Sequence, residues 1–443
     1  MLSAIRNSWA LLLGMSLLMI GNGLQGTVLG VRGEAEGYSA FVLGFVMSAY
    51  FVGFLGGAQL TPWLLKRVGH IRVFAALASL ISAAFILYAA IVHPVSWLIL
   101  RLIIGFCFSG VYVVAESWLN DSATNETRGQ TMSAYVFAQM TGIVVAQALL
   151  NVADPGGYDL FVIMSVLVSL SFLPILLSST PVPMFETTRR MSLGDLMRAS
   201  PLGCIGMFLL GAVFACLFGM GSVYAADQGL SHGQISIFVG AIYLGGMVLQ
   251  LPIGWFSDRM DRRILIAGST AIGAVAALAG GIAGGSFWLL VLTAFVVGGV
   301  ANPLYSLLVA YVNDYLDPED MASASGGLVL IAGVGGIGAP VVVGYLMDLI
   351  GSAGFFMFLA VSLGMISLYA FYRMTQRPST SVDETGPMVP MSPVAAQIAA
   401  DVAWDVVAQQ AAEQSEGDVS MTETGETGDL NAETAPAEAA KPG

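Results

Sequence analysis

The sequence has few charged residues for its length. Of its 443 residues, 10% are charged and 56% are hydrophobic. A soluble domain carries about 25% charged residues. A composition this poor in charge excludes a soluble globular protein and favours a chain that lies mostly in lipid.

Residue types that build metal centres and disulfides are also scarce. The sequence has three cysteines and three histidines. The cysteines lie in apolar stretches and the histidines in predicted loops far apart in the chain: Cys107, Cys204, Cys216, His70, His93 and His232. We predict no disulfide framework, no metal site and no cofactor. A G-x-x-x-x-G-K-[ST] nucleotide loop is missing too, which argues against ATP hydrolysis by this polypeptide.

Long apolar runs are abundant. Each has about 20 residues, enough to cross a ~30 Å hydrocarbon layer as a helix, and none shows the alternation of barrel strands. The first run is too long for a signal peptide and lacks a clear cleavage site. We predict an all-α membrane protein with twelve spans, at 9–31, 39–62, 72–92, 96–119, 129–150, 159–178, 201–224, 234–256, 264–283, 286–311, 323–346 and 354–373.

Basic residues are distributed unequally between the two sets of loops. One set holds Arg6, Lys66, Arg67, Arg72, Arg128, Arg189, Arg190, Arg198, Arg259, Arg262, Arg263, Arg373 and Arg377. The opposite set holds only Arg32, and Arg101 lies inside a span. By the positive-inside rule both termini are cytoplasmic, which the even number of spans also requires. We expect a multi-pass protein of the bacterial inner membrane.

The last part of the chain, 377–443, differs in composition from the rest. It is acidic and rich in Ala, Glu, Thr, Gly and Pro, which predicts a disordered cytoplasmic tail. An apolar stripe every fourth residue, from Val394 to Val406, indicates either a transient helix in solvent or a segment that lies against the membrane or the protein's own loops.

The two parts of the membrane region resemble each other. "WLND" at 118–121 recurs as "YVND" at 311–314, and other residues recur at the same offset: Tyr50 with Tyr243, Gly53 with Gly246, Gly105 with Gly298, and Gly142 with Gly335. We therefore predict two parallel six-span bundles, 1–178 and 201–376, joined by a cytoplasmic loop at 179–200. Such repeats hold their substrate site between them near the membrane midplane.

The loop after the eighth span carries a recognisable motif. It reads "GWFSDRMDRR" at 254–263, and it resembles the G-x-x-x-D-R-x-G-R-R loop signature of the major facilitator superfamily, with Asp261 in place of the second Gly. The first copy, at 62–72, keeps Arg67 and Gly69 but has Pro62 and Lys66 where the signature has Gly and Asp. "ETRG" at 126–129 and the R-x-x-x-G of Arg101 and Gly105 fit the family too.

This resemblance implies the major facilitator fold, with two pseudo-symmetric six-helix bundles that rock about a central site. "TVLGVRGEAEG" at 27–37 and "AESWLND" at 115–121 resemble an uncharacterised bacterial subgroup of the superfamily. The resemblance does not indicate a substrate.

Two ionisable side chains lie inside the fourth span. Arg101, Tyr112 and Glu116 share one helix face, because Tyr112 lies about 20° and Glu116 about 60° around the helix from Arg101. Arg101 and Glu116 are about 22 Å apart along the axis. Arg101 binds an anionic group of the substrate, keeps a neighbouring acid ionised, or hydrogen-bonds carbonyl oxygens of another helix in the same half. Glu116 either couples transport to protons or pairs with the basic loop near Arg67 and Arg72. Charges at this depth usually face the bundle interior.

Neutral polar residues inside the spans are further candidates for a cavity. They are Asn22, Gln25, Gln139, Gln147, Asn302 and Tyr305. Each is equally compatible with a hydrogen bond between helices. A cavity with one cation suits an organic anion, a zwitterion or a neutral polar solute. Pro303 is expected to kink the tenth span and free backbone carbonyls.

The resemblance also implies a gate at the cytoplasmic loops. Asp121 would accept hydrogen bonds from Arg67 or Arg72, and Asp314 from Arg259, Arg262 or Arg263. Asp258 would face the start of the fifth span near Gly129, whereas Lys66 occupies the equivalent place in the first copy. We therefore expect one strong and one weak latch.

Together these features predict a secondary active transporter, not an enzyme. It would move a small-molecule substrate by alternating access, as a monomer in the lipid bilayer and without nucleic acid. The driving force would be an ion gradient, most simply of protons, or the substrate's own gradient. A non-transporting sensor on the same fold and a membrane-embedded enzyme are the alternatives. The enzyme would need a catalytic group at depth, and only Glu116 approaches one.

Overall fold

The described part of the chain is almost entirely helical. The computed structural model describes residues 2–122, 125–177, 191–282, 286–316, 318–376 and Met388, and every regular element in these ranges is a helix. The helices are α1 Leu2–Ala35, α2 Ala40–Val68, α3 His70–Ala90, α4 Pro94–Ser122, α5 Asn125–Leu149, α6 Asp159–Ser171, α7 Leu173–Leu176, α8 Leu193–Ala199, α9 Pro201–Ala215, α10 Gly221–Asp227, α11 His232–Ser257, α12 Arg262–Ile282, α13 Phe287–Asn313, α14 Pro318–Ile350 and α15 Ala353–Met374.

The described helices provide twelve membrane spans by length and composition, which confirms the predicted number. Two spans are composite. The sixth joins α6 and α7, and the seventh joins α9 and α10 through a π-helical segment at Cys216–Met220. The expectation that all three histidines lie in loops was wrong for two: His232 begins α11, and His70 begins α3, buried, with its Nε2 3.0 Å from Ser117 Oγ.

The spans pack into two groups of six. In the first group α1 packs against α5 and α6, and α2 packs against α4. In the second group α9 packs against α14 and α15, and α11 packs against α13. The groups meet where α2 contacts α14, α5 contacts α11 and α1 contacts α10. We call the two groups the first and second halves.

Glycines that recur between the halves explain this pairing. A methyl group at Gly105 would collide with the backbone of Tyr50, and one at Gly298 would collide with the backbone of Ile242. The same packing therefore joins α2 to α4 and α11 to α13. Gly142 and Gly335 likewise bring α5 against α1 and α14 against α9. Each half is held by helix backbones in close contact, as small residues allow in membranes.

Several contacts between described residues join the halves at one membrane face. We call the face with the turns at 69 and 258–261 the terminal face, and the other the opposite face. At the opposite face the exposed carboxylate of Asp348 accepts hydrogen bonds from the backbone N–H groups of Ala40 (3.1 Å) and Phe41 (3.3 Å). These N–H groups begin α2 and have no partner within the helix, so a carboxylate stabilises them.

Further contacts close the same seam. The Asn151 amide donates to Ser236 Oγ at 2.9 Å, and Ser48 Oγ donates to the Ile337 carbonyl. Gly44 lies against the backbone of Pro340 and Gly344 against that of Ala40. We call this interface of α2 with α14 and α5 with α11 the opposite-face seam. It closes the space between the halves on that side.

Candidate functional site

A cavity lies between the two halves. Its volume is about 130 Å³, and its walls come from α1, α2, α4 and α5 of the first half and from α9 to α11, α13 and α14 of the second. The polar and charged side chains in the wall are Asn22, Thr27, Tyr50, Arg101, Tyr112, Ser222, Tyr243, Asn302 and Tyr305. The space suits on the order of ten water molecules, or a small solute.

Arg101 is the cation of this cavity. Its side chain is 6% exposed, and its guanidinium carbon lies 5.0 Å from the ring centre of Tyr50. Among the described residues no carboxylate pairs with it, and its buried Nε has no hydrogen-bond partner. The groups that interact with it electrostatically are the hydroxyls of Tyr50, Tyr88 and Tyr243. The cavity therefore carries a positive charge at one point of its wall.

Tyrosines from both halves surround this charge. Tyr50 is on α2 and Tyr243 is on α11, at equivalent positions of the repeat, and the two hydroxyls are within electrostatic range of each other. The Asn22 amide donates to the Tyr112 hydroxyl at 3.3 Å. The repeat thus places a matched pair of phenols at the junction of the halves, where both can contact one solute.

Aromatic rings form the wall on the second half. Phe214 stacks on Phe218 with ring centres 5.6 Å apart, and Phe218 stacks on Tyr243 at 4.8 Å with 14° between the ring planes. Phe218 lies in the π-helical segment Cys216–Met220, and such segments often occur at functional sites. Ser222, just beyond this segment, donates to the carbonyl of Gly26 at 3.1 Å, across the halves.

The tenth span contributes Asn302 and Tyr305, both buried. The Asn302 amide donates to the Gly298 carbonyl at 3.1 Å, one turn earlier on its own helix. Pro303 lies inside α13 and has no N–H to donate, so a backbone carbonyl one turn before it loses its helical partner. This end of the cavity is polar but uncharged.

The loop after α11 is held to the end of α13. Arg262 pairs with Asp314, and it also donates to the Ala310 carbonyl at 3.1 Å and to Ser257 Oγ at 3.2 Å. Burial raises the pKa of Asp314 to about 6, against the opposing effect of Arg262. The second half therefore has a buried ion pair where the sequence predicts a loop arginine and Asp314 to meet.

Asp261 replaces the second glycine of the loop signature and caps α12. Its carboxylate accepts the backbone N–H of Arg263 at 2.9 Å and the Arg263 guanidinium at 2.7 Å. Burial alone would raise the pKa of Asp261, but these hydrogen bonds outweigh it and hold the pKa below its ordinary value. An Asp at this position satisfies an N–H at the start of the helix, which a glycine side chain could not do.

Asp258 contacts the tail. Its carboxylate accepts the backbone N–H of Met388 at 2.8 Å, and the Met388 side chain is buried. Apart from Met388, the acidic tail lies outside the described residues. The side chains of Asp121 and of 125–129, including the region near Gly129, also lie outside them, so both predicted latch partners there remain predictions.

The other basic loop residues that were predicted for the gate lie at the terminal face. Lys66, Arg67 and Arg72 are exposed, and Arg67 lies over the ring of Trp63 at 5.3 Å. Arg259 is arranged in the same way over Trp255, at 4.3 Å. These arginine–tryptophan pairs end α2 and α11 and are a further similarity between the halves.

Comparison with known proteins identifies the family. The family model described as Major Facilitator Superfamily matches residues 11–199 and 203–411. The chain belongs to the Major Facilitator Superfamily. The uncharacterized MFS-type transporter YcaD of Escherichia fergusonii is 26% identical over 375 residues, 84% of this chain and 97% of that protein. YcaD of Escherichia coli is 25% identical over 348 residues, 76% of this chain and 88% of that protein.

Solved structures of the superfamily share the fold. A mutant of the nucleoside transporter NupG matches with a TM-score of 0.72 at 15% identity, over 83% of this chain and 99% of that one. An inward-facing bacterial homologue of the human lysosomal transporter Spinster matches with a TM-score of 0.64 at 14% identity, over 90% of this chain and 98% of that one. By its match to the superfamily model, the chain is a multi-pass membrane transporter of the superfamily, not an enzyme.

Within this superfamily fold, five of the predicted site residues line the cavity: Asn22, Arg101, Tyr112, Asn302 and Tyr305. Gln25 and Gln147 lie elsewhere. Gln25 donates to the Tyr88 hydroxyl at 3.3 Å, and Gln147 joins α5 to α1 by accepting from Thr27 Oγ1 at 2.9 Å and donating to the Gly23 carbonyl at 3.2 Å. Their hydrogen bonds hold the first half together.

Glu116 and Gln139 are fully buried beside the cavity wall. The Tyr135 hydroxyl donates to Glu116 Oε1 at 3.4 Å, and Glu116 interacts electrostatically with Tyr305 of the second half. Gln139 lies one turn after Tyr135, and its amide atoms make no hydrogen bond of normal geometry to any described residue. Glu116 is therefore a carboxylate at the junction of the halves.

Sequence reasoning did not select several wall residues. The repeat pattern marks Tyr50 and Tyr243 without indicating that they line a site, and no sequence pattern selects Phe214, Phe218 or Ser222. A matched aromatic pair at the repeat offset was the available signal for the tyrosines. No sequence signal distinguishes the phenylalanines, because aromatic residues in an apolar span are most often ordinary packing residues.

Proposed function

We propose that this protein is a secondary active transporter that moves a small organic solute across the bacterial inner membrane by alternating access. The observation that supports this most directly is the cavity at the junction of the two halves, with Arg101 in its wall. A site between two repeats near the membrane midplane is where rocking of the halves would expose a solute first to one face and then to the other.

In the transport cycle, the opposite face would open while the terminal face closes, and each step involves different contacts. Opening the opposite face requires the opposite-face seam to separate, including the contacts of Asp348 with α2. Closing the terminal face would bring the loop after α11, with Asp258, against the first half. We assign the terminal face to the cytoplasm from the basic residues of its loops, and we expect a monomer, because each polypeptide contains both halves.

We assign proton coupling to Glu116. Among the described carboxylates at the junction it is fully buried, and its described hydrogen-bond partner Tyr135 is in the first half. Tyr305 of the second half is within electrostatic range of it. Rocking of the halves changes the distance to Tyr305, and with it the relative stability of the charged and neutral carboxyl. Proton uptake and release would thus follow the conformational cycle.

The test is transport by purified protein in liposomes. A solute that raises the melting temperature of the purified protein is first found by screening, since a bound ligand stabilises. Its accumulation under an imposed pH gradient is then compared with its exchange without a gradient. Glu116→Gln should lose accumulation and keep exchange, whereas Gln147→Leu, which alters a helix–helix contact, should keep their ratio.

Three outcomes decide the proposal. No movement of any stabilising solute through wild-type protein would refute transport and favour a sensor. Full pH-driven accumulation by Glu116→Gln would refute its coupling role while leaving transport intact. Accumulation by wild-type protein with exchange alone in Glu116→Gln supports both parts.

A further inference from the structure

The charge on Arg101 has no counterpart in the described protein. The guanidinium is permanently protonated, its side chain is 6% exposed, and no carboxylate among the described residues pairs with it. Its nearest described partner is the ring of Tyr50, and its buried Nε makes no hydrogen bond. A cation in this position is unfavourable in a low-dielectric surrounding, and an anion that enters the cavity would relieve the cost.

The geometry points to a small aromatic monocarboxylate as the solute, and we propose that its carboxylate binds Arg101 and its ring lies along Phe218 and Tyr243. This inference deepens the proposed function, because it names the substrate class for the same cavity. A guanidinium presents a planar fork of N–H donors that matches a carboxylate. One cation balances one negative charge, so a monoanion fits better than a dianion such as a phosphate monoester.

The aromatic preference follows from the wall opposite the first half. Phe214, Phe218 and Tyr243 form a continuous stack, with 17° and 14° between successive ring planes. Phe51 and Phe54 line the cavity from α2. A planar ring makes offset-stacked or edge-to-face contacts with such rings, which adds to the burial of its apolar area. A flexible aliphatic acid gains only the free energy of burying its apolar area, without the stacking contacts.

Size and polarity narrow the class further. A cavity of about 130 Å³ suits a solute of on the order of ten non-hydrogen atoms. The amides of Asn22 and Asn302 and the hydroxyl of Tyr305 line the same space and can bond a polar ring substituent. Benzoate is the simplest probe of this size and charge.

The competing explanation is that Arg101 only holds tyrosines together. In that case its removal would lower stability and would not change the binding of any anion selectively. The two explanations differ in what they predict for matched ligands, which is the basis of the test.

The experiment measures binding of three compounds of similar shape to the purified, detergent-solubilised full chain by calorimetry. Benzoate carries the charge and the ring, benzamide lacks the charge, and cyclohexanecarboxylate lacks the aromatic ring. We expect benzamide to bind on the order of ten- to a hundredfold more weakly than benzoate, as for loss of a charge-assisted bond. We expect cyclohexanecarboxylate to bind roughly two- to tenfold more weakly, as for loss of stacking.

Variants assign each preference to a side chain. Arg101→Gln should make benzoate and benzamide bind equally, without lowering the melting temperature of the ligand-free protein. Tyr243→Leu should reduce the preference for benzoate over cyclohexanecarboxylate and leave the preference over benzamide. Arg198→Gln, the same type of change at an exposed residue on α8, should alter neither ratio.

The outcomes separate this inference from the proposed function. Equal binding of benzoate and benzamide to wild-type protein, or no binding of benzoate, overturns the inference even if Arg101→Gln fails to fold. If liposomes then accumulate another solute, the proposed function stands without the inference. Arg101-dependent binding of benzoate, with no transport of benzoate or of any other stabilising solute, supports the site and refutes the function.

Discussion

Removing the buried ion pair at the loop after α11 should show whether that loop is held by charge. The Arg262 and Asp314 side chains are only 3% and 7% exposed. Removing one partner of such a pair leaves a buried charge and costs about 3–5 kcal/mol. Asp314→Leu should lie near the lower value, because Arg262 keeps the Ala310 carbonyl and Ser257 Oγ as acceptors. Removing both charges should be nearly neutral, so the coupling energy equals the sum of the two single losses, about 6 kcal/mol or more.

The pH dependence gives a second, independent magnitude. The folded protein raises the pKa of Asp314 from 3.8 to about 6, chiefly through burial. The resulting contribution to stability is complete below about pH 4 and is lost as the pH rises through about 6, for a total of about 3 kcal/mol. Asp314→Leu should remove this dependence. Arg262→Met should extend it to higher pH, because it removes the group that favours the ionised carboxylate.

Thermal melting of the purified protein in detergent, at about pH 5 and about pH 7.5, measures both effects. The control is the same pair of changes at Arg198 and Asp195, an ion pair on α8 whose side chains are 83% and 58% exposed. An exposed pair should couple by less than about 1 kcal/mol. Additive losses in the Arg262→Met/Asp314→Leu double variant, or a pH dependence that survives in Asp314→Leu, would refute this reasoning.

Three further predictions concern orientation, gating and packing. A reporter that is active only outside the cytoplasm should be active when fused after Gly229 and silent after Gly417, and the reverse pattern contradicts the assigned orientation. Asp258→Asn should open the terminal face by roughly two- to fivefold in cysteine-labelling rates at the cavity, as expected for loss of a carboxylate at a helix start, whereas Lys66→Asn should change them little. Equal effects of the two would contradict an asymmetric latch. Gly105→Ala should destabilise the first half by about 1–3 kcal/mol through collision with the neighbouring helix backbone, and an unchanged melting temperature would refute that packing.

The twelve spans and the doubled architecture could be predicted because lipid leaves few alternatives. Without water in the hydrocarbon layer, an apolar run must satisfy its own backbone as a helix. A charge inside a span must likewise turn inward, which is why Arg101 was placed correctly at the bundle interior. The recurring glycines were equally informative, since Gly105 and Gly298 mark the same close approach in each half.

The choice among neutral polar residues could not be made from the sequence. Asn22 lines the cavity and Gln147 joins two helices, yet both are amides in apolar runs. The difference depends on which neighbour each meets, and hence on the packing of the whole bundle. The contact of Met388 with Asp258 is also beyond sequence reasoning, because 129 residues of chain separate them and no pattern relates the two.

The opposite-face seam has a consequence for the environment in which the protein works. In the proposed orientation this seam faces the compartment outside the inner membrane, where ionic strength follows the surroundings of the cell. Glycine contacts such as Gly44 with Pro340 hold it by close packing, and the bonds to Asp348 are its main charged element. Dissolved ions weaken long-range attraction between exposed charges but leave dispersion forces between packed backbones almost unchanged. Closure on that side should therefore vary little between dilute and saline surroundings, while the arginine-rich loops at the other end experience the regulated salt of the cell interior.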